Sequence, residues 1–196
     1  MKRLGAFVLM VAAAVVLSGA ANGTDLPDLE VGSLTLKDKD GKVRATLSVA
    51  SGSPALALFD KDKTLRAWLG VVSDGSVTLD LFDKDGNARA AFAVLADGSP
   101  GLALNDKDGE LRVALKVVDG SPGLGLYDQD GMTRAAFVVG ANGSPALTLG
   151  DRSGRARATL GVTTTVDKRT GDKTKTTEGT LTLFDAKGDV LWQAPR

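Results

Sequence analysis

Residues 79–104 read LDLFDKDGNARAAFAVLADGSPGLAL, and this stretch decides the fold. It contains an L-x-L-x-D segment, a D-x-D-G turn, an R-A-x-[L/F]-x-V segment and a Gly-Ser-Pro turn, in that order. The same order recurs about six times along the chain. A fixed period of this length is typical of a repeat architecture, in which no single unit can bury its apolar side chains alone.

Two charged positions mark the repeat. Consecutive copies are separated by 22, 23, 23, 22 and 23 residues at both positions. The arginines are Arg44, Arg66, Arg89, Arg112, Arg134 and Arg157, and the matching turn aspartates are Asp38, Asp60, Asp83, Asp106, Asp128 and Asp151.

Both halves of the unit alternate with period two. The arginine half has apolar residues at Val43, Ala45, Leu47 and Val49, and the second half continues with Leu56 and Leu58. Strict alternation over such short runs predicts strands with one buried face. The mature chain has no sustained helical period.

The connections predict hairpins. Aspartate favours the early positions of a turn, and glycine accepts the positive φ at its end, as in the D-K-D-G loop of residues 83–86. A four-residue loop there would place Leu81 opposite Ala88 and Arg89 opposite Asp80. The Gly-Ser-Pro turns put proline at a strand end, and the difference between 22 and 23 residues falls in these second turns.

The sequence therefore predicts an all-β fold of about fourteen short strands, from residues 34–36 to residues 190–192. A closed ring of that many strands would enclose more space than Leu and Val can fill. We expect tandem hairpin repeats in a flattened two-layer antiparallel meander or sandwich. The alternative is a two-sheet β-solenoid, in which the arginine strands stack as one parallel sheet and the L-x-L strands as the other.

The face opposite the large apolar residues carries small side chains. A tightly coiled sheet with little outer space would explain them, and so would a flat surface for a partner, a sister copy or a polymer. The positions are Thr46, Ser48, Ala57, Gly70, Thr78, Ala91, Ala93, Ala103, Gly125, Ala136, Thr148 and Thr159.

The first twenty residues have the pattern of a secretory signal peptide. Lys2 and Arg3 precede an apolar stretch of 14 residues, and the small residues 18–20 predict cleavage after Ala20. Residues 17–19 resemble the start of a bacterial lipobox, but Ala20 stands where that motif requires cysteine. We expect a flexible lead-in over residues 21–32 and a β-repeat domain over 33–196, with a polar insertion loop at 163–177.

Composition excludes several function classes. The chain has 24 basic and 24 acidic residues, and removing Lys2 and Arg3 with the signal leaves 22 against 24. This balance gives no electrostatic footprint for nucleic acid. No histidine or cysteine is present, so Ser-His, Cys-His and histidine–metal chemistry are excluded. Repeated equivalent carboxylates argue against one catalytic pair, so we predict a protein that is not an enzyme.

The D-x-D-G turns are candidate metal sites, because hard cations bind clustered carboxylates on a loop. They resemble the middle of an EF-hand-type calcium loop over four residues, although the flanking ligand positions of that loop are apolar here. Turn chemistry alone is the other explanation. The candidate ligands are Asp38, Asp40, Asp83, Asp85, Asp106, Asp108, Asp128 and Asp130. We expect no cofactor, and calcium held by these turns is the alternative.

The row of arginines at the six repeat positions is the second candidate site. Beyond Arg89, the repeats have no acid at the position of Asp80. Their arginines are expected to reach turn aspartates, or to hold an anionic ligand through paired N–H groups.

The unit resembles those of bacterial exported proteins built from short β-hairpin repeats. It is similar in length to the MORN repeat, whose glycine–aromatic signature is absent. It shares an Asp-x-x-Gly turn with YD repeats, seen with the tyrosine at residues 127–131. These resemblances imply scaffold or surface roles and assign no functional residue.

We therefore expect a secreted, periplasmic or cell-surface protein that acts as a surface, scaffold, adhesion or binding module. The alternatives are a calcium-stabilised repeat module and a self-assembling envelope or coat component. The expected partners are a cell-envelope polymer, a protein or a second copy, with no nucleic acid and no stable membrane insertion after signal cleavage.

Overall fold

The computed structural model describes residues 31–162, 164–166, 173–175 and 179–194. Within these ranges the chain is all β and contains sixteen strands. Fourteen of them form one antiparallel sheet in which they follow one another in chain order, and the other two, at residues 164–166 and 173–175, pair separately. The strands are β1 Ser33–Lys37, β2 Val43–Ala50, β3 Ser53–Phe59, β4 Leu65–Val71, β5 Val77–Phe82, β6 Ala88–Val94, β7 Pro100–Asn105, β8 Leu111–Val118, β9 Ser121–Tyr127, β10 Thr133–Val139, β11 Pro145–Gly150, β12 Ala156–Gly161, β13 Thr164–Val166, β14 Lys173–Lys175, β15 Thr180–Phe184 and β16 Val190–Ala194.

The predicted all-β hairpin meander is confirmed. The solenoid alternative is not adopted, because tight turns make every pair in the sheet antiparallel. The predicted signal peptide and most of the lead-in fall on residues 1–30, which lie outside the described residues. No helix among the described residues is long and apolar enough to cross a membrane.

The register aligns equivalent residues of successive strands into columns. Two columns on one side of the sheet form what we call the apolar face. The leucine column contains Leu34, Leu47, Leu56, Leu69, Leu79, Phe92, Leu102, Leu115, Leu124, Phe137, Leu147, Leu160, Leu181 and Ala194. The leucine–alanine column contains Leu36, Ala45, Leu58, Ala67, Leu81, Ala90, Leu104, Val113, Leu126, Ala135, Leu149, Ala158, Leu183 and Trp192.

The opposite side carries the small residues, and we call it the small-residue face. Its central column lies between the two apolar columns in sequence and contains Thr35, Thr46, Ala57, Trp68, Asp80, Ala91, Ala103, Ala114, Gly125, Ala136, Thr148, Thr159, Thr182 and Gln193. The division of the strands into a large apolar face and a small-residue face is therefore as predicted.

The second layer expected from the sequence is not formed by the described strands. Close approach of the backbones is confined to strands that neighbour each other in the sheet. Ala45 is the one apolar residue among them that is buried, and most large apolar side chains are more than a third exposed. The large apolar side chains are therefore not covered by a second layer of described strands.

The turns that begin at the repeat aspartates, which we call the Asp-side turns, have five residues instead of the predicted four. Asp83 and Asn87 close the loop, with the Asp83 amide donating to the Asn87 carbonyl over 2.9 Å. Gly86 adopts a φ of 86°, which is the geometry of a hairpin whose turn ends in a left-handed glycine. Arg89 then stands opposite no residue of β5, as the extra residue of a β-bulge.

These two insertions correct the predicted register. Leu81 pairs with Ala90 instead of Ala88, and Leu79 pairs with Phe92. The five-residue turn moves the pairing by one residue and the bulge by another. Because side chains alternate with period two, a total shift of two leaves every residue on its predicted face.

The prediction that repeat length varies in the second turns is confirmed. Val71 pairs with Val77 across a five-residue turn, whereas Val49 pairs with Pro54 across four residues. The shorter version turns at Ser51 and Gly52, both at positive φ (50° and 82°), as in a two-residue type I′ turn. The sheet absorbs the difference in the turn and keeps the columns in register.

The predicted insertion loop at 163–177 contains strands β13 and β14, which pair with each other as a separate antiparallel hairpin. The large sheet continues from β12 directly to β15, with Leu160 opposite Leu181.

Candidate functional site

One carboxylate organises each Asp-side turn. Asp83 Oδ1 accepts hydrogen bonds of 2.9 Å from the amides of Asp85 and Asn87. The same pair of bonds, to the second and fourth residues beyond the aspartate, recurs at Asp38, Asp60, Asp106, Asp128, Asp151 and Asp185. The aspartate at this position is therefore a backbone acceptor that fixes the turn.

These bonds lower the pKa of the aspartates, because they favour the charged form. The amide of Asn87 is the main cause at Asp83, whose pKa falls to about 2. At Asp151 the hydroxyl of Ser153 is the main cause, and the pKa again falls to about 2. The pKa is also lowered at Asp38, Asp60, Asp106, Asp128 and Asp185.

Each repeat arginine reaches the second carboxylate oxygen of its own turn. Arg44 Nη2 lies 2.6 Å from Asp38 Oδ2, and Arg89 Nη2 lies 2.7 Å from Asp83 Oδ2. Six such pairs, which we call the Arg–Asp ladder, run along the sheet: Arg44–Asp38, Arg66–Asp60, Arg89–Asp83, Arg112–Asp106, Arg134–Asp128 and Arg157–Asp151. The bulge explains the geometry, because the extra residue turns its side chain towards the turn.

The ladder also joins neighbouring hairpins. Arg66 Nε donates to the carbonyl of Phe82 over 3.0 Å, and Arg157 Nε donates to that of Phe184 over 3.0 Å. Arg44 and Arg112 donate in the same way to the carbonyls of Asp60 and Asp128. Each of these arginines therefore bonds both its own turn and the neighbouring hairpin, and the sheet gains a contact that its strand ladder does not supply.

The ion pair predicted between Arg89 and Asp80 is wrong. Asp80 lies between Trp68 and Ala91 on the small-residue face and accepts a 2.8 Å hydrogen bond from the Thr78 hydroxyl. The prediction failed because it rested on the four-residue turn. The expectation that the arginines reach turn aspartates describes all six repeats, and their use by an anionic ligand stays a prediction.

The candidate calcium ligands differ in their surroundings. The first aspartate of each pair, such as Asp106, accepts hydrogen bonds from two backbone amides and an arginine. The carboxylate of the second aspartate takes no part in holding the turn: Asp85 pairs with Lys84 over 2.8 Å and its side chain is 61% exposed. In the described part of the chain no three acidic residues lie together in a group that could hold a metal ion. Calcium binding by these turns stays a prediction.

A shallow groove of about 240 Å³ crosses the small-residue face at the middle of the sheet. Its floor includes Ala91, Ala103 and Ala114, and Lys116 stands at its side. The groove is open because alanine and glycine leave space above the backbone.

Two aromatic residues on this face were not singled out by the sequence analysis. The Trp68 indole lies over Gly70, where an added Cβ would come within 2.5 Å of it. The Tyr127 ring covers Gly125 in the same way, at 2.7 Å from its hydroxyl oxygen. An aromatic residue two positions from a glycine on the same strand face is the signal that could have identified both pairs.

The apolar face leaves large side chains open to solvent along the whole sheet. Leu47, Phe92 and Phe137 are each about half exposed, at 52%, 52% and 51%. The register places no charged residue in either column of this face.

Comparison with known proteins assigns no family. No protein-family model matches the chain, and no curated protein matches it. Among solved structures, the chain is similar to a mutant of TarM from S. aureus in complex with fondaparinux, alpha-GlcNAc-glycerol and UDP, at 14% identity and a TM-score of 0.26. That likeness covers 74% of this chain and 21% of TarM. So low a TM-score carries no argument about fold or function.

Proposed function

We propose that this chain is an exported, non-catalytic repeat protein that works through its surface, as a scaffold, adhesive or binding module of the bacterial cell envelope. The apolar face carries the proposal. A soluble monomer rarely exposes a continuous apolar patch of more than a few hundred Å², and here two apolar columns run across all fourteen strands.

Two further observations support a surface role. The signal-type segment at residues 1–20 directs the chain out of the cytoplasm. The charged groups of the repeat are used to hold turns and to join hairpins, so six equivalent Arg–Asp pairs build an extended surface. The calcium-stabilised alternative receives less support, because the first aspartate of each turn already bonds to two amides.

Expression of the full-length gene in a bacterium tests the proposal. We expect intact mass to show loss of residues 1–20, and the mature chain to sediment with isolated cell envelopes. The matched variant Ala20→Arg places a bulky charge at the predicted cleavage site and should remain unprocessed.

Two outcomes would contradict the proposal. One is an unprocessed wild-type chain found only in the cytoplasm. The other is a hydrolytic activity of the purified protein that disappears in the double variant Asp83→Asn with Asp85→Asn and persists in Ala20→Arg.

A further inference from the structure

The apolar face is large enough for a stable interface. Its two columns hold 28 residues, fourteen in each, and all of them are apolar. The large side chains that lie exposed in these columns range from 36% exposed at Leu147 to 54% at Leu36. Two columns of fourteen residues each match the about 20–30 residues that each partner contributes to a standard interface.

The leucine–alanine column is complementary to itself. Leucine and a smaller residue alternate from Leu36 to Leu183, so a row of projections and gaps runs across the strands. Facing layers pack well when large residues of one meet small residues of the other. A second copy of the same column supplies that match if it is displaced by one strand.

Symmetry produces this displacement. Counted across the sheet, β15 and β16 are the thirteenth and fourteenth strands. A two-fold axis parallel to the strands and midway between β7 and β8 therefore places the nth strand of one copy against the (15 − n)th strand of the other. Odd strands then face even strands. Leu104 would meet Val113 of the second copy, Leu81 would meet Ala135, and Leu126 would meet Ala90.

The apolar face carries no charged side chain that would lose its hydration in an interface. The ladder pairs lie at the strand ends beside the Asp-side turns, and Asp80 and Lys116 belong to the small-residue face. Burial of the apolar face therefore avoids the desolvation cost that charged residues impose on an interface.

We propose that two copies of the chain pack apolar face to apolar face as a two-fold symmetric β-sandwich. The second layer that the alternation of Leu and Val demands comes from a second molecule, with the sheets about 10 Å apart. This deepens the proposed surface function, because it names a second copy as the partner of that face and makes the dimer the scaffold.

Sedimentation equilibrium of the protein purified from the full-length gene tests the proposal. We expect a dimer, and we expect Leu104→Lys to raise the dimer dissociation constant at least 100-fold while the circular dichroism stays unchanged. Ala103→Lys is the matched control, since Ala103 is the adjacent residue on the opposite face, where Lys116 already stands. It should leave the dissociation constant unchanged.

A cross-linking experiment reports the geometry independently. The chain has no cysteine, so a single introduced thiol is the one reactive site. A short bismaleimide should convert Leu104→Cys into a covalent dimer and leave Ala103→Cys monomeric.

A wild-type protein that stays monomeric at all concentrations overturns the proposal, as does equal weakening by Leu104→Lys and Ala103→Lys. A monomer that binds phosphatidylcholine vesicles through Leu104 would overturn it in favour of a lipid partner. A monomer that is still processed and sediments with envelopes overturns this inference alone. A dimer that is never exported overturns the proposed function alone.

Discussion

Among the individual residues, the turn aspartate determines most of the local structure. One carboxylate oxygen bonds two amides and the other faces an arginine, as Asp106 does with Asp108, Glu110 and Arg112. The sequence identified the aspartates and arginines as a repeating set. It predicted that arginines reach turn aspartates but paired Arg89 with Asp80, because the bulge that turns each arginine towards its aspartate is a property of the paired strands.

Acid should destabilise the sheet through these carboxylates. A pKa lowered in the folded state gives stability that is present above the unfolded value of ~3.9 and is lost as the pH falls through the folded value. With Asp83 and Asp151 at about 2, we expect the melting temperature to fall progressively between about pH 4 and pH 2. Thermal melts followed by circular dichroism measure this.

The control for the acid series is Asp83→Asn compared with Asp85→Asn. The first variant should show a smaller loss in that window, and the second should follow the wild type, because the carboxylate of Asp85 bonds only the exposed Lys84. A melting temperature that is constant from pH 5 to pH 2 would refute the assignment.

Arg112 tests the structural use of the ladder. Its guanidinium bonds Asp106 and the carbonyl of Asp128, so Arg112→Ala should lower the melting temperature by about 2–4 °C. Arg112→Lys should recover only part of this, because an ammonium cannot form the same fork of hydrogen bonds. Arg152→Ala, at an exposed turn position, is the control. An unchanged melting temperature in Arg112→Ala would instead favour arginines reserved for an anionic ligand.

The turns are the elements that fix the register. The fourth residue of the five-residue turns is a glycine at positive φ, and in the turn of residues 60–64 it is Lys63, at a φ of 69°. A left-handed conformation strains any residue that carries a Cβ. The sequence showed that this turn lacks its glycine, and the structure shows that the turn keeps the same shape.

Lys63→Gly should therefore stabilise the protein. Relief of the left-handed strain is expected to raise the free energy of unfolding by about 1 kcal/mol, measured by urea denaturation. Lys61→Gly, two residues earlier in the same turn and outside the set of positive-φ residues, should lower it. A neutral or negative effect of Lys63→Gly would show that the turn relaxes around the lysine.

For the molecule as a whole, the alternation of large and small residues has a different result from the one expected. It was interpreted as one buried and one exposed face, and the described strands leave the large apolar face open to solvent. The pattern correctly grouped the residues by face. Covering that face requires a second layer, and the described strands leave its large apolar side chains more than a third exposed.

The sequence by itself determined the hairpin repeat, the number of strands, the strand faces and the turn in which repeat length varies. These follow from local rules: period-two alternation, turn residues and proline at strand ends. Only the tertiary structure decided the register, the pairing of Arg89 with Asp83 and the single layer. The longer turn and the bulge each insert one residue. Together they shift the pairing partner by two positions and leave each side chain on the same face of the sheet. Alternation indicates which face a residue occupies but not which residue it pairs with. The sequence therefore predicted the faces correctly and the partners of Leu81 and Arg89 wrongly.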